Sequence, residues 1–339
     1  MIDYKFEEIQ FEEFEDYKVL KLPSLTKEEI SIIDPIVAPT SGLRIQILKT
    51  IGKEESKKYI LHKRVLFLYL RVLRAISHKY KALKGGENLK VLIVTDDRPT
   101  NDVLLKFCSQ IFSYEGFEIY YQADDKGKSR ISSPYGAASV ALLQDINLVI
   151  VLTASHNDLS WNGIKFYIDY PIPISGDLFK DISKMALECK EVKLNPNFKP
   201  VLIDAEQQNN DYVIALLSKV LEINSLKGKD IIIWPYLGKA RGIVNLFTQL
   251  GAHVHLIEEE INPPNPIKVI REGKLQNEMR NTNSDLAILL DADRDRIALY
   301  VKQDEKWARA LLSGRSSSSA AGCCSMPPGP LRAAIGYPG

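Results

Sequence analysis

The sequence predicts an α/β protein built from two consecutive units and followed by a low-complexity tail. Three observations predict it. Strand-like and helix-like runs alternate between residues 90 and 153, a second β-α-β-loop-α-β order runs between residues 230 and 301, and the composition changes abruptly near residue 308.

In chain order, apolar residues recur near Ile60, Val65, Leu68, Val72 and Ile76 with basic residues between them, so Glu54 to Lys84 reads as a long helix stopped by Gly85 and Gly86. Lys90 to Thr95 is a strand, Thr100 to Tyr114 a helix, Phe117 to Gln122 a strand, Tyr135 to Gln144 a helix and Asn147 to Thr153 an apolar strand. This alternation calls for a sheet covered on both faces. After the loop Asn195 to Pro200, Tyr212 to Leu221 reads as helix, Asp230 to Trp234 as strand, Arg241 to Leu250 as helix and His253 to Ile257 as strand. A loop holding Pro263, Pro264 and Pro266 leads to a helix at Ile270 to Met279, the strand Leu286 to Leu290, an acidic loop and the strand Ile297 to Val301. In such an order the active loop lies at the carboxyl end of a strand. From Ala308 the chain holds arginines but no Lys, Asp or Glu, with a serine run at 316–319; this segment reads as disordered low-complexity sequence or as a reading-frame artefact.

Composition excludes several classes. With 44 basic and 43 acidic residues there is no cationic excess to drive counterion release, so no nucleic-acid partner is expected. The acidic N-terminus lacks an apolar signal core, and the most apolar run, Val65 to Ile76, is broken by Arg71 and Arg74, so no membrane span is expected. Cys108, Cys189, Cys323 and Cys324 show no disulfide framework or zinc spacing, which suits a reducing, cytoplasmic setting.

Two loops carry chemistry. Residues 291–296 read Asp-Ala-Asp-Arg-Asp-Arg directly after an apolar strand. In a straight strand Asp291, Asp293 and Asp295 would spread over ~13 Å, so they converge only if the backbone turns. Three crowded carboxylates repel unless a hard cation sits among them; the competing reading is a solvated turn balanced by Arg294 and Arg296. An EF-hand is excluded, because the sixth and twelfth positions from Asp291 hold Arg296 and Lys302 rather than Gly and Glu.

The second loop is Thr153-Ala154-Ser155-His156-Asn157, delivered by a strand, after which Asn162-Gly163 is expected to turn the chain into a short strand carrying Lys165. A serine hydrolase would place glycines two residues either side of the nucleophile, where Thr153 and Asn157 stand. Taken alone, Ser155 reads as a capping or turn serine.

Together, Thr153-Ala154-Ser155-His156-Asn157, Asn162-Gly163-Ile164-Lys165 and Asp291-x-Asp293-x-Asp295-Arg296 resemble the phosphoserine and metal loops of the α-D-phosphohexomutases (phosphoglucomutase/phosphomannomutase). Thr40-Ser41-Gly42-Leu43-Arg44 and Asp97-Arg98 are similar to two further family segments, so the resemblance runs from about residue 38 to 305. Asp158, Arg294 and Ile45 stand where the family usually has Pro, a small residue and Gly.

The resemblance implies two mixed-sheet α/β domains, at 1–199 (phosphoserine loop) and 200–305 (metal loop), with a tail at 306–339. It implies an isomerase that interconverts hexose 1-phosphate and hexose 6-phosphate through a hexose bisphosphate. Ser155 would be the phosphorylated residue. Mg2+ would be held by Asp291, Asp293, Asp295 and the phosphorylated Ser155. Lys165, Arg44 and His156 would serve the reaction, Lys165 through proton transfer if neighbouring cations lower its pKa, and Arg296 and Arg98 would neutralise phosphate charge. The family's sugar-recognition and distal-phosphate motifs, which lie in its third and fourth domains, are not found. The alternative is therefore a truncated, non-catalytic remnant that binds metal or phosphosugar.

Overall fold

The computed structural model describes residues 2–34, 43–51, 58–86, 89–124, 126–143, 146–172, 176–222, 224–303 and 306–310. Two mixed sheets organise the chain. The first has six strands, in the order Val201–Ile203, Glu118–Gln122, Lys90–Thr95, Leu148–Leu152, Trp161–Ile168 and Leu43–Gln46. Its first four members run parallel, and Trp161–Ile168 pairs antiparallel with both Leu148–Leu152 and Leu43–Gln46. Residues 148–152 (Leu-Val-Ile-Val-Leu) are buried throughout, as a central strand covered on both faces requires. The helices Lys63–Lys84 and Asn101–Tyr114 supply Leu66, Leu70, Leu73, Leu104 and Ile111 to one core. Ser133–Leu142 covers the other face with Ala137 and Val140.

The second sheet has five strands, in the order His253–Leu256, Asp230–Pro235, Leu286–Leu290, Ile297–Gln303 and Lys306–Ala310. Trp234, Tyr236, Leu275 and Met279 fill one face; Ile231, Ile233, Ile288 and Leu290 face the helix Arg241–Gln249 on the other. The units meet where Leu159 packs with Leu237 and Ala292, and Asn262 Oδ1 accepts from Leu159 N at 3.0 Å.

Several expectations are corrected. The helix expected from Glu54 begins at Lys63, because the strand Lys58–Leu61 precedes it and pairs with Tyr4–Phe6 and Leu48–Ile51; residues 52–57 lie outside the described residues. The helices expected at Tyr135 to Gln144 and Tyr212 to Leu221 run Ser133–Leu142 and Ala205–Leu217. Each starts at a polar cap, with Ser132 Oγ accepting from Tyr135 N and Asp204 Oδ1 from Gln207 N. Val201–Ile203 pairs with Glu118–Gln122, so the first sheet extends past residue 199. Lys306–Ala310, expected as the start of the tail, is an antiparallel strand against Ile297–Gln303; residues 311–339 lie outside the described residues.

Candidate functional site

Each chemical loop is the tip of a strand–loop–antiparallel strand unit. Leu152 pairs with Ile164 across the serine loop, and Leu290 pairs with Ile297 across the acidic loop. The two tips face each other.

Ser155 adopts φ 53°, a left-handed conformation uncommon for serine. It is held there from both sides. Ser155 N donates to Thr153 Oγ1 at 2.8 Å, and Thr153 Oγ1 donates to Asp96 Oδ2 at 2.7 Å. Arg98 lies below the loop with its side chain fully buried. Its five N–H groups are all engaged: with Asp96 Oδ2 at 3.1 Å, Asp158 O at 2.8 Å, Trp161 O at 2.9 Å, Asn157 O at 2.8 Å and Ser155 O. Arg98, expected to neutralise phosphate, therefore spends its donors on the backbone that carries Ser155. Asp158, at the position the family usually gives to Pro, accepts from Ser160 N at 2.8 Å through Oδ1 and so shapes the same turn.

Asn162-Gly163 does not turn the chain. Both lie inside the strand Trp161–Ile168, paired to Ile45 and Arg44. Gly163 is required by close approach, since a Cβ there would meet Leu43 O at 2.4 Å and Thr153 O at 2.5 Å. Asn162 instead ties the strand down, with Nδ2 donating to Thr100 Oγ1 and Asn101 Oδ1, each at 2.8 Å. That geometry brings Arg44 and Lys165 to the site; Thr40, Ser41 and Gly42 lie outside the described residues.

In the acidic loop, Asp291 and Asp293 are fully buried and the Asp295 side chain is 31% exposed. Ligand oxygens of the three lie within 4.8 Å of one another. Ser155 Oγ donates to Asp291 Oδ2 at 2.8 Å, with Asp295 Oδ1 at 3.5 Å. Asp291 Oδ1 accepts from Asp295 N and Arg296 N at 3.1 and 3.2 Å, closing the turn. Lys165 Nζ donates to Asp293 Oδ2 at 2.6 Å and Asp295 Oδ2 at 2.9 Å. Ser133, which no local motif marks, donates to Asp293 Oδ2 at 2.7 Å through its hydroxyl and to Asp293 O at 2.8 Å through its N–H.

Electrostatics follow from this crowding. Burial, then the Asp293 and Asp295 charges, push the Asp291 carboxyl well above the usual carboxylate range. Burial also works against the Asp293 charge, but the Lys165 ammonium outweighs it and holds the carboxyl down to about 2. Lys165 was expected as a neutralising cation, with a part in proton transfer only if neighbouring cations lowered its pKa. Its neighbours are instead carboxylates, which overcome burial and raise its pKa, so it stays charged. His156 is brought down to about 4, first by burial and then by Arg296 and Arg44; its neutral Nδ1 accepts from Arg296 Nη1 at 2.6 Å and lies 3.4 Å from Ser155 Oγ. Burial lowers the pKa of Arg44, which feels Asp293 and Asp295.

The donor set fits a hard divalent cation. It offers three convergent carboxylates, and Asp293 Oδ1 is buried with no hydrogen-bond partner. Among the described residues, no other such group of His, Cys, Asp or Glu is found. No helix among the described residues is long and apolar enough to cross a membrane.

Residues 62–193 match the family model described as phosphoglucomutase/phosphomannomutase, alpha/beta/alpha domain I. A phosphoglucosamine mutase from Thermodesulfovibrio yellowstonii is 26% identical over 229 residues, covering 64% of this chain and 47% of that protein. The chain thus spans about half the length of the curated relatives it matches. Among solved structures, the open form of the exocytosis-sensitive phosphoprotein pp63/parafusin from Paramecium superposes with TM-score 0.61 at 15% identity, over 84% of this chain and 55% of that one. A phosphoglucomutase/phosphomannomutase family protein from Burkholderia thailandensis gives TM-score 0.54 at 17% identity, over 80% and 55%.

Proposed function

We propose, from the chain's match to the phosphohexomutase family, that Ser155 carries a phosphoryl group which it exchanges with a hexose phosphate beside a Mg2+ ion. The observation that carries this reading is the 2.8 Å contact from Ser155 Oγ to Asp291 Oδ2, at the centre of the only three-carboxylate cluster found among the described residues.

Asp291, Asp293 and Asp295 would hold the ion. Mg2+ in such a site supplies Lewis-acid polarisation of phosphoryl oxygens. In the forward half-reaction the P–O bond to Ser155 Oγ breaks as a bond forms to a sugar hydroxyl, and the hydroxyl proton ends on Ser155 Oγ. The return step transfers the other phosphoryl group of the bisphosphate to Ser155 by the reverse bond changes. The protein's part is positioning and charge balance. A phosphoserine brings about two negative charges next to three carboxylates. Lys165, Arg44 and Arg296 are the cations that offset them, and Lys165 acts as a fixed charge. Arg98 and Asp96 position the serine loop without touching the phosphate. The sugar substrate is a hexose phosphate; an amino-sugar phosphate is included because the matched relatives are named phosphoglucosamine mutases.

A second reading is metal and phosphosugar binding without turnover. It rests on the carboxylate cluster alone, which can hold a cation whether or not a phosphoryl group is transferred.

One experiment tests the first reading and separates it from the second. The protein is incubated with a hexose 1,6-bisphosphate and MgCl2, then mapped by peptide mass spectrometry, and mutase turnover is measured on hexose and amino-hexose monophosphates. Label at Ser155 with turnover supports the mutase. Label without turnover supports the second reading, and label on another residue sinks both site assignments.

A further inference from the structure

The position between the second and third aspartates is held by Arg294, a long cation inside the acidic loop. Its side chain does not enter the carboxylate cluster. Arg294 has φ 63°, and its N–H donates back to Asp291 O at 3.2 Å, so the backbone makes a tight left-handed turn there. The side chain leaves the loop on the far side, is 4% exposed, and reaches the first sheet's Asp97, with Nη2 3.0 Å from Oδ2. The other oxygen of Asp97 is taken by Arg130 Nε at 2.6 Å. Asp97 is also wedged sterically: a Cβ on Gly238, in the second unit, would lie 1.8 Å from Asp97 Oδ2, and Gly238 itself has φ +70°.

Asp97 therefore joins both loops. It sits between Asp96, which accepts from Thr153, and Arg98, whose guanidinium holds Ser155 O. Across the unit boundary it holds Arg294, which lies one residue from both Asp293 and Asp295. Ser133 grips the opposite side of the loop through Asp293. These grips hold the loop from opposite sides, beside the Lys165 ammonium that bridges Asp293 and Asp295.

We propose that Arg294 is a positioning residue, and that the Arg130–Asp97–Arg294 clasp sets the approach of the three aspartates to Ser155 and thereby the affinity of the site for its cation. This rests on the metal-site reading above. The clasp acts on the orientation of groups that would ligate the ion, in the way outer-shell partners of metal ligands do, whose removal costs about tenfold or more in affinity.

The test uses the whole chain and MgCl2 alone, by titration calorimetry, with Arg294→Gly, Arg294→Lys, Asp97→Asn and the double variant Asp97→Asn/Arg294→Gly. Glycine favours the left-handed turn, so a loss in Arg294→Gly reports the missing side chain and not a strained backbone. About tenfold weaker Mg2+ binding is expected in Arg294→Gly and in Asp97→Asn. The double variant should be no worse than either single change, and Arg294→Lys should recover part of the loss. Circular dichroism of Arg294→Gly should match that of the unaltered protein at the titration temperature, and because losing a buried ion pair lowers the metal-free thermal midpoint, the titrations are run well below it. Equal affinity in Arg294→Gly and the unaltered protein overturns the clasp alone, as do losses that simply add in the double variant. An unaltered protein that takes up no Mg2+ overturns the metal-site reading itself.

Discussion

Ser155 Oγ donates to Asp291 Oδ2 at 2.8 Å although 136 residues separate them in the chain. Each residue sits at the tip of a different sheet, so the contact exists only in the docked pair. Ser155→Ala and Ser155→Gly should both abolish covalent phosphate uptake from a hexose bisphosphate. Glycine also accepts the φ 53° conformation freely. A label that persists by mass spectrometry in the glycine variant moves the nucleophile elsewhere.

Asp293→Asn removes one charged oxygen from the cluster and one partner of Lys165. Mg2+ affinity should fall at least about tenfold, because a hard cation loses a charged ligand. Unchanged affinity by calorimetry refutes the ligand set.

His156 sets a pH dependence in the metal-free protein. Its pKa is about 4 when folded, against 6.5 for an ordinary histidine. The unfolded chain thus binds a proton near pH 6.5 that the folded chain refuses until about 4, so this contribution to stability is lost as pH falls through that window. His156→Gln cannot take up the proton and should show a shallower decline. Denaturant titrations at several pH values in EDTA read the difference between the two proteins; parallel curves argue against the assignment.

Arg98→Met strips the serine loop of four donors and leaves Asp96 buried without its cation. Breaking a buried pair from one side costs about 3–5 kcal/mol. Urea unfolding should register a loss of that order, and label at Ser155 should drop with it. A near-neutral change indicates that water replaces the guanidinium and that the loop holds itself.

Gly163→Ala places a methyl 2.4 and 2.5 Å from two carbonyl oxygens, both backbone and neither able to swing aside. The strand must separate from Leu43–Gln46, which displaces Arg44. Overpacking of this kind costs about 1–3 kcal/mol or more. A variant as stable as the parent in urea means the strand spacing adjusts at no cost.

The parts of this molecule legible in the sequence were those whose signal is local. Residues 148–152 read as a buried strand because every side chain is apolar, and the acidic loop stood out because three carboxylates alternate within five residues. The helix starts at Ser133 and Ala205 were placed late, because the capping serine and aspartate lie upstream of the apolar periodicity. Asn162-Gly163 was misread as a turn: the dipeptide carries the turn preference, whereas the reason for glycine is a neighbouring strand far away in sequence. The proton-transfer option for Lys165 was left open for the same reason, since the sign of its pKa shift depends on which loop faces it. Ser133 and Asp96 have no motif at all: Ser133 meets Asp293 only when the two sheets dock, and Asp96 meets Thr153 only across neighbouring strands, while Asp97, marked by its resemblance to a family turn, gains Arg294 from the second sheet.

Both chemical loops are bounded on each side by paired strands, Leu152 with Ile164 and Leu290 with Ile297. Their lengths are consequently pinned from outside. Side chains alternate faces along a strand, so adding or deleting one residue in 291–296 forces a choice: the ladder slips and turns Leu286–Leu290 inside out, or the extra backbone is absorbed at the tip and the aspartates rotate off their common centre. Substitutions in these loops are thus graded in their effect, whereas insertions and deletions are all-or-none, and a random indel scan of the gene should return two sharply delimited blank intervals at these tips.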